Sequence, residues 1–248
     1  MLEGLIWGLI QGITEFLPVS SDGHLVLIPK LLGVAPPDLA ITGFLHLGTL
    51  LAVVVYFRKE LLRIITATQR SLFYALVAGT LPAAAAFFFE DLVAQQQAST
   101  TATAIYLLIN AVVLMLGHRY GSGKRSLETI RPVDGLAVGV AQVFAILPGL
   151  SRSGTTITTA LARNFTSTDA ARFSFMLAVP VVAGAGVYET AQLATRGIPG
   201  SAWLGAAVAA FAGYAAIGLL LRVIVRIGLL PFAIYCAALG VMSLIVLD

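Results

Sequence analysis

The chain has 248 residues, of which 58% are hydrophobic and only 11% charged, with a mean hydropathy of +0.94. An ordinary soluble domain carries roughly 25% charged residues, so the composition excludes a soluble globular protein and points to an all-α, polytopic integral membrane protein. The net charge of +3 sits in short loops, where it reads as a topology signal and not as a nucleic-acid footprint.

Residues 2–17 are apolar. Glu3 stands where a signal peptide carries positive charge, and no small-residue cleavage site follows, so the segment is expected to remain in the mature protein. Pro18 through Gly23 interrupt it, and a second apolar stretch covers 24–33. Each half is too short for a bilayer core, which takes about 20 helical residues. Joined by Pro, Ser and Gly, the two halves read as a re-entrant hairpin. Spans are expected at about 38–57, 71–90 and 101–117, followed by a basic loop at about 118–131. A second interrupted region then runs through 133–147, a break from Pro148 to Gly154, and 155–163. Three further spans are expected at about 170–190, 202–221 and 227–247. Cys236 is the one cysteine; it lies in an apolar run, cannot form an intrachain disulfide, and reads as packing.

The two breaks resemble each other. Gln11 is followed by Leu17-Pro18, Ser20 and Gly23; Gln142 is followed, with a one-residue slip, by Leu147-Pro148, Ser151 and Gly154. The chain therefore reads as a single membrane domain over 1–248. It holds two repeats, about 1–117 and 132–248, each of one hairpin and three spans. Three is odd and a hairpin returns to the face it left, so the repeats are inverted and their polar turns approach each other from opposite leaflets. On this topology twelve of the fifteen Lys and Arg fall on one face, from Arg58, Lys59, Arg63 and Arg70 through to Arg222 and Arg226. Lys30 and Arg196 fall on the other, and Arg152 lies inside the second hairpin. The positive-inside rule makes the basic face cytoplasmic and places Met1 and Asp248 outside.

Ionisable groups at membrane depth are costly and usually functional. They are Glu15, Asp22, His24 and Arg152, with Ser20, Ser21, Ser151, Ser153, Thr155 and Thr156 beside them. Bland roles exist for each: a structural Glu15–Arg152 pair, a helix-capping His24, and hydroxyls or Gln11 satisfying freed backbone groups. Together they say more. Ser151-Arg152-Ser153-Gly154-Thr155-Thr156 places hydroxyls, a guanidinium and backbone N–H groups at a helix N-terminus, which is an anion site suited to phosphate. The first hairpin offers a carboxylate, serines and an imidazole, the parts for proton transfer, nucleophilic attack or metal binding. A phosphohydrolase acting on a lipid-linked phosphate follows.

The motifs Gln11-x-x-x-Glu15-Phe16-Leu17-Pro18-Val19-Ser20-Ser21-x-Gly23-His24 and Pro148-Gly149-x-Ser151-Arg152-Ser153-x-x-Thr156 resemble the two signatures of the undecaprenyl-diphosphatase family, the bacitracin-resistance type. His46-Leu47-Gly48 with Tyr56-Phe57-Arg58 fits its first span, and the likeness runs through nearly the whole chain. The resemblance implies hydrolysis of undecaprenyl diphosphate to undecaprenyl phosphate and inorganic phosphate. This recycles the carrier lipid for peptidoglycan and other envelope polymers in the bacterial inner membrane, with a divalent cation such as Mg²⁺ or Ca²⁺.

By motif position, Glu15, His24, Ser21 and Arg152 are the expected catalytic groups. Ser20, Ser151, Ser153, Gly154, Thr155 and Thr156 are the expected phosphate holders, with Gln11 and Asp22 in support. A metal would sit on Glu15 with Gln11 or Asp22. Asp22 departs from the small Ser or Thr of the family pattern. The attacking group stays open among Ser21, His24 and water. His46 reads as structural and His118 as solvated. A homodimer stays open, no nucleic-acid partner is expected, and a polyprenyl-phosphate flippase on the same inverted repeats is the alternative function.

Overall fold

Proline and serine decide where this chain breaks its helices and turns back. In the computed structural model, which describes residues 1–66, 69–84, 95–96 and 99–247 (backbone only for 189 and 192–196), helix α1 spans Leu2–Phe16 and α2 Ser21–Leu31. Leu17 is pushed to extended geometry (φ −69°, ψ 145°) by the Pro18 ring that follows it. The second break is built alike. Helix α7 covers Pro132–Val143, a 3-10 turn covers Phe144–Ile146, and extended Leu147 (φ −77°, ψ 132°) precedes Pro148. Helix α8 then runs Arg152–Ala162, with Ser151 accepting the Gly154 N–H at 3.0 Å as its cap.

Between the hairpins lie α3 (Leu39–Tyr56), the short surface helix α4 (Arg58–Ile65), α5 (Arg70–Thr80) and α6 (Thr100–Tyr120). After the second hairpin come α9 (Ser167–Arg196), α10 (Gly200–Ile227) and α11 (Leu230–Val246). The protein is thus an all-α, multi-pass membrane protein. Helices α3, α6, α9 and α10 are long and apolar enough to cross a bilayer, and α11 is apolar over 17 residues. Of the span expected at 71–90, residues 71–80 are α-helical as part of α5, which at eleven residues is about 16 Å long at 1.5 Å per residue. Pro82 cannot donate into a continuing helix, and the chain tightens into a 3-10 turn over 81–84; residues 85–90 lie outside the described residues. Asp248 and the Arg196 side chain also lie outside them.

Small residues set how the hairpins dock. A Cβ added to Gly4, Gly8 or Gly12 would meet Ser201 O at 2.0 Å, Gly205 O at 2.3 Å or Ala212 Cβ at 2.6 Å, so α1 lies backbone to backbone against α10. Likewise Gly135 and Gly139 of α7 lie against Ala75 O and Gly79 O of α5, at 1.9 and 2.3 Å from the added Cβ. Four-residue spacing of small residues is the usual device for close helix approach where lipid gives no hydrophobic drive. In both pairs the residue numbers rise together, so the helices run parallel. The first helix of each hairpin is therefore clamped to a helix from the other half of the chain. Helix α3 also runs parallel to α10, with Gly48 against Ala206 and Gly213 against Ala52, and it carries the chain from the Met1 end to the end where α5 starts.

At the basic-loop end the buried carboxylate of Asp134 closes the second hairpin. Arg125 holds both its oxygens (3.1 and 2.7 Å), Arg163 donates to Oδ1 from Nε at 2.9 Å, and the Arg131 N–H donates to Oδ2 at 3.0 Å. Such a carboxylate repays its desolvation only when every lone pair is used, as here. His118 is exposed, as expected.

The glycine contacts generate a stability test. Gly135→Ala is expected to lose about 1–3 kcal/mol, because the added methyl meets backbone that cannot yield. Gly184→Ala, where a Cβ meets nothing within 4 Å, is expected to melt at the wild-type temperature or above it. Thermal unfolding of the purified variants in one detergent measures both; equal melting points would refute the backbone contact.

Candidate active site

The two polar turns meet. Ser153 Oγ donates to Leu17 O (2.9 Å), and Gly149 N–H donates to Ser20 Oγ (3.0 Å). Asn110, fully buried on α6, joins both turns: its Nδ2 donates to Pro18 O (3.1 Å) and its Oδ1 accepts from Ser151 N (3.2 Å). Pairing these freed backbone groups is what allows irregular chain at membrane depth.

Ser20 sits at the centre of this seam with φ 70° and ψ 100°, a conformation L-residues rarely adopt. Such a backbone costs on the order of 1–3 kcal/mol and persists only when its surroundings fix it. Here Ser20 Oγ accepts from Gly23 N (3.3 Å) as well as from Gly149 N, and Ser20 O accepts from His24 N (3.2 Å) and His24 Nδ1 (2.7 Å).

Ser20 leads directly into Ser21, the first residue of α2. Ser21 Oγ donates to Glu15 Oε2 at 2.6 Å, and Gln11 Nε2 donates to the same oxygen at 2.8 Å. Glu15 Oε1 takes Arg152 Nη2 from the second hairpin. The other terminal nitrogen, Nη1, is buried without a hydrogen-bond partner. His46 on α3 completes the ring: Nε2 lies 3.4 Å from Glu15 Oε2 and 3.8 Å from Asp22 Oδ1, while Nδ1 is 2.9 Å from Thr42 O.

These groups open on a cavity of about 370 Å³. Its polar wall is Glu15, Ser20, Ser21, Asp22, Ser151 and Arg152, with His46 and Gln142. The rest of its lining is mostly apolar and small-featured, including Ala83, Ile146, Val181, Val182 and Gly184. An ionic head fits the polar wall and a hydrocarbon chain the apolar lining.

The expected residues divide accordingly. Glu15, Ser20, Ser21, Asp22, Ser151 and Arg152 are brought together on the cavity. Gln11 stands one layer behind Glu15. Ser153 and Thr156 are turned into the protein, on Leu17 O and on Ser174 Oγ (2.7 Å), and neither they nor Gly154 and Thr155 line the cavity. His24 does not line it either. Its Nδ1 is on Ser20 O and its Nε2 is 2.8 Å from Tyr235 OH on α11, with the two rings stacked at 5.5 Å. His46, read from sequence as structural, takes the imidazole place beside Glu15. Asn110 was signalled only as an amide inside an apolar span; Tyr235 carried no signal beyond its hydroxyl.

The donors suit a hard divalent cation only in part. Asp22 Oδ1 and Gln11 Oε1 are buried oxygens without hydrogen-bond partners near Glu15. Among the described residues no three His, Cys, Asp or Glu side chains form a metal-holding group. Mg²⁺ commonly takes one or two carboxylates and completes its shell with phosphate oxygens and water, and Glu15 with Asp22 offers that much.

Comparison with known proteins agrees with this chemistry. The family model for the bacitracin resistance protein BacA matches residues 4–242. Proteins named undecaprenyl-diphosphatase align along nearly their whole length. The one from Thermomicrobium roseum is 39% identical over 99% of this chain and 98% of its own. That from Geobacter sulfurreducens is 38% identical over 95% and 94%, and that from Geotalea daltonii 36% over 100% and 98%. With both signature turns joined across one cavity and the match running from end to end, this chain belongs to the BacA bacitracin resistance family.

Proposed function

We propose that this protein is an undecaprenyl-diphosphate phosphatase of the bacterial plasma membrane, releasing inorganic phosphate and returning undecaprenyl phosphate to the synthesis of peptidoglycan and other envelope polymers. One observation carries the reading. The Glu15 carboxylate holds the Ser21 hydroxyl on one oxygen and the Arg152 guanidinium on the other, on a cavity whose lining is otherwise mostly apolar. The names of the relatives support it. A lipid carrier would use Arg152 but has no task for a hydroxyl set on a carboxylate.

In this reading Arg152 receives the diphosphate, with Nη1 as the first donor offered and the α8 N-terminus behind it. As the guanidinium turns to the phosphate it leaves Glu15 more basic. Ser21 Oγ attacks the terminal phosphorus, Glu15 Oε2 takes its proton, and the bridging P–O bond breaks. The departing undecaprenyl phosphate carries that proton away. Water then attacks the phosphoserine, Glu15 takes a proton from it and returns one to Ser21 Oγ, and phosphate leaves. A divalent cation held by Glu15 and Asp22 would supply charge neutralisation to the phosphate oxygens.

The halves are further proposed to be inverted repeats, with the basic-loop face in the cytoplasm and both termini outside. The supports are the parallel α1–α10 and α7–α5 pairs and the bias of basic residues. Exposed single cysteines test this in a Cys236→Ser background. Ala35→Cys is expected to react with a membrane-impermeant maleimide on intact cells, and Ser122→Cys only after lysis; the reverse pattern would invert the protein.

The chemistry is tested by phosphate release from farnesyl diphosphate by the purified protein. Glu15→Gln is expected to lose on the order of 10²-fold or more in kcat while still binding the diphosphate. Arg152→Lys is expected to be nearly as impaired as Arg152→Ala, because a point charge lacks the planar fork. Wild-type turnover by Glu15→Gln would remove Glu15 from the chemistry. Full activity of Arg152→Lys would reduce Arg152 to a bulk charge.

A further inference from the structure

We propose that Tyr235 is a positioning residue for the phosphatase reaction, acting through His24 to hold the Ser20–Ser21 backbone in its attacking geometry. The inference rests on the reading of Ser21 and Glu15 given above. His24 is almost fully buried and does not line the cavity, so its ring meets no substrate phosphate. Its Nδ1 faces a carbonyl oxygen, which only accepts, so Nδ1 carries a proton and donates it to Ser20 O at 2.7 Å. The only ring nitrogen left for proton exchange, Nε2, points away from the cavity to Tyr235 OH at 2.8 Å. The Tyr235 ring lies nearly parallel to the imidazole, 14° between planes, and fixes its tilt.

The residue so gripped is the one with the unfavourable backbone. Ser20 at φ 70° and ψ 100° will relax unless its carbonyl is held, and any rotation there swings the next residue, Ser21, off the carboxylate 2.6 Å away. The chain of contacts runs from Tyr235 on α11 to His24 Nε2, from His24 Nδ1 to Ser20 O, and from the Ser20 backbone to Ser21 Oγ. The imidazole acts as a bracket and the phenol as its stay.

The test separates a bracket from a proton carrier. In His24→Asn the side-chain Nδ2 stands where Nδ1 stood and can still donate to Ser20 O, but no titratable ring remains. In His24→Leu the side-chain donor is gone and only the backbone N–H of residue 24 still reaches Ser20 O. With farnesyl diphosphate and purified full-length protein, His24→Asn is expected to keep kcat within about 10-fold of wild type, and His24→Leu to lose far more, with KM little changed in both. Tyr235→Phe, which keeps the stacked ring, is expected to lower kcat about 3- to 10-fold. It should have no further effect in the His24→Asn background, where the phenol has nothing to hold. An Asn variant as inactive as the Leu variant, or a Tyr235→Phe loss that persists undiminished in the Asn background, overturns the proposal.

A readout without turnover separates this from failure of the hydrolase reading. In protein labelled with ¹⁵N-histidine, and assigned by loss of the His24→Asn signal, His24 is expected with Nδ1 protonated and with an Nε2 resonance that shifts in Tyr235→Phe. Should the wild type release no phosphate at all, the hydrolase reading falls and these resonances alone decide the bracket. Nδ1 found bare, or an Nε2 resonance blind to Tyr235, overturns it.

Discussion

The structure turns on one buried ion pair between the halves of the chain: Glu15 from the first hairpin and Arg152 from the second. Buried at membrane depth, each needs the other, since either charge alone would face a desolvation cost of several kcal/mol. The pair therefore fixes more than a site. It requires that both polar turns meet and that the surrounding backbone groups find partners. Asn110, Ser20 and Ser153 supply those partners from three separate elements. The cavity follows as the place where this shared polar seam is left open to one side.

Rigidity in the seam comes from the glycine contacts outside it. With α1 set into α10 and α7 into α5 at backbone distance, neither hairpin slides along its partner without steric collision. A hydroxyl–carboxylate contact of 2.6 Å is kept by helices whose packing tolerates no added methyl group. The geometry of the candidate site and helix docking are in this sense a single constraint.

Much of this was legible in the sequence, for identifiable reasons. Leu-Pro followed by Ser and Gly marks a helix break in any solvent, so both hairpins could be placed. Ionisable residues at hydrocarbon depth are rare enough that Glu15, Asp22 and Arg152 singled themselves out. Direction was not legible. His24 shares a motif with Ser21, yet its ring turns back on Ser20 O and out to α11, because the spacing of a motif does not state a rotamer. His46 belongs to an apolar helix whose facing is set by α10 and α9 together, and hydropathy has no phase to report there. The change from α-helix to a 3-10 turn at 81–84 was not legible for a related reason: the apolar run continues through Pro82 without a change in hydropathy.

The docking of α1 on α10 has a consequence for how the molecule is made. The second hairpin leaves the ribosome after its partner α5, so α7 can seat as soon as it is synthesised. The first hairpin has the opposite history. Gly4, Gly8 and Gly12 are made well before the surface they fit, from Ser201 onward, with nearly 200 residues between them. Until then a glycine-lined helix and a polar turn must wait within or beside the bilayer without their partner. The first hairpin is thus fixed on its partner helix only after α10 has entered the membrane, later than the second hairpin is fixed on α5.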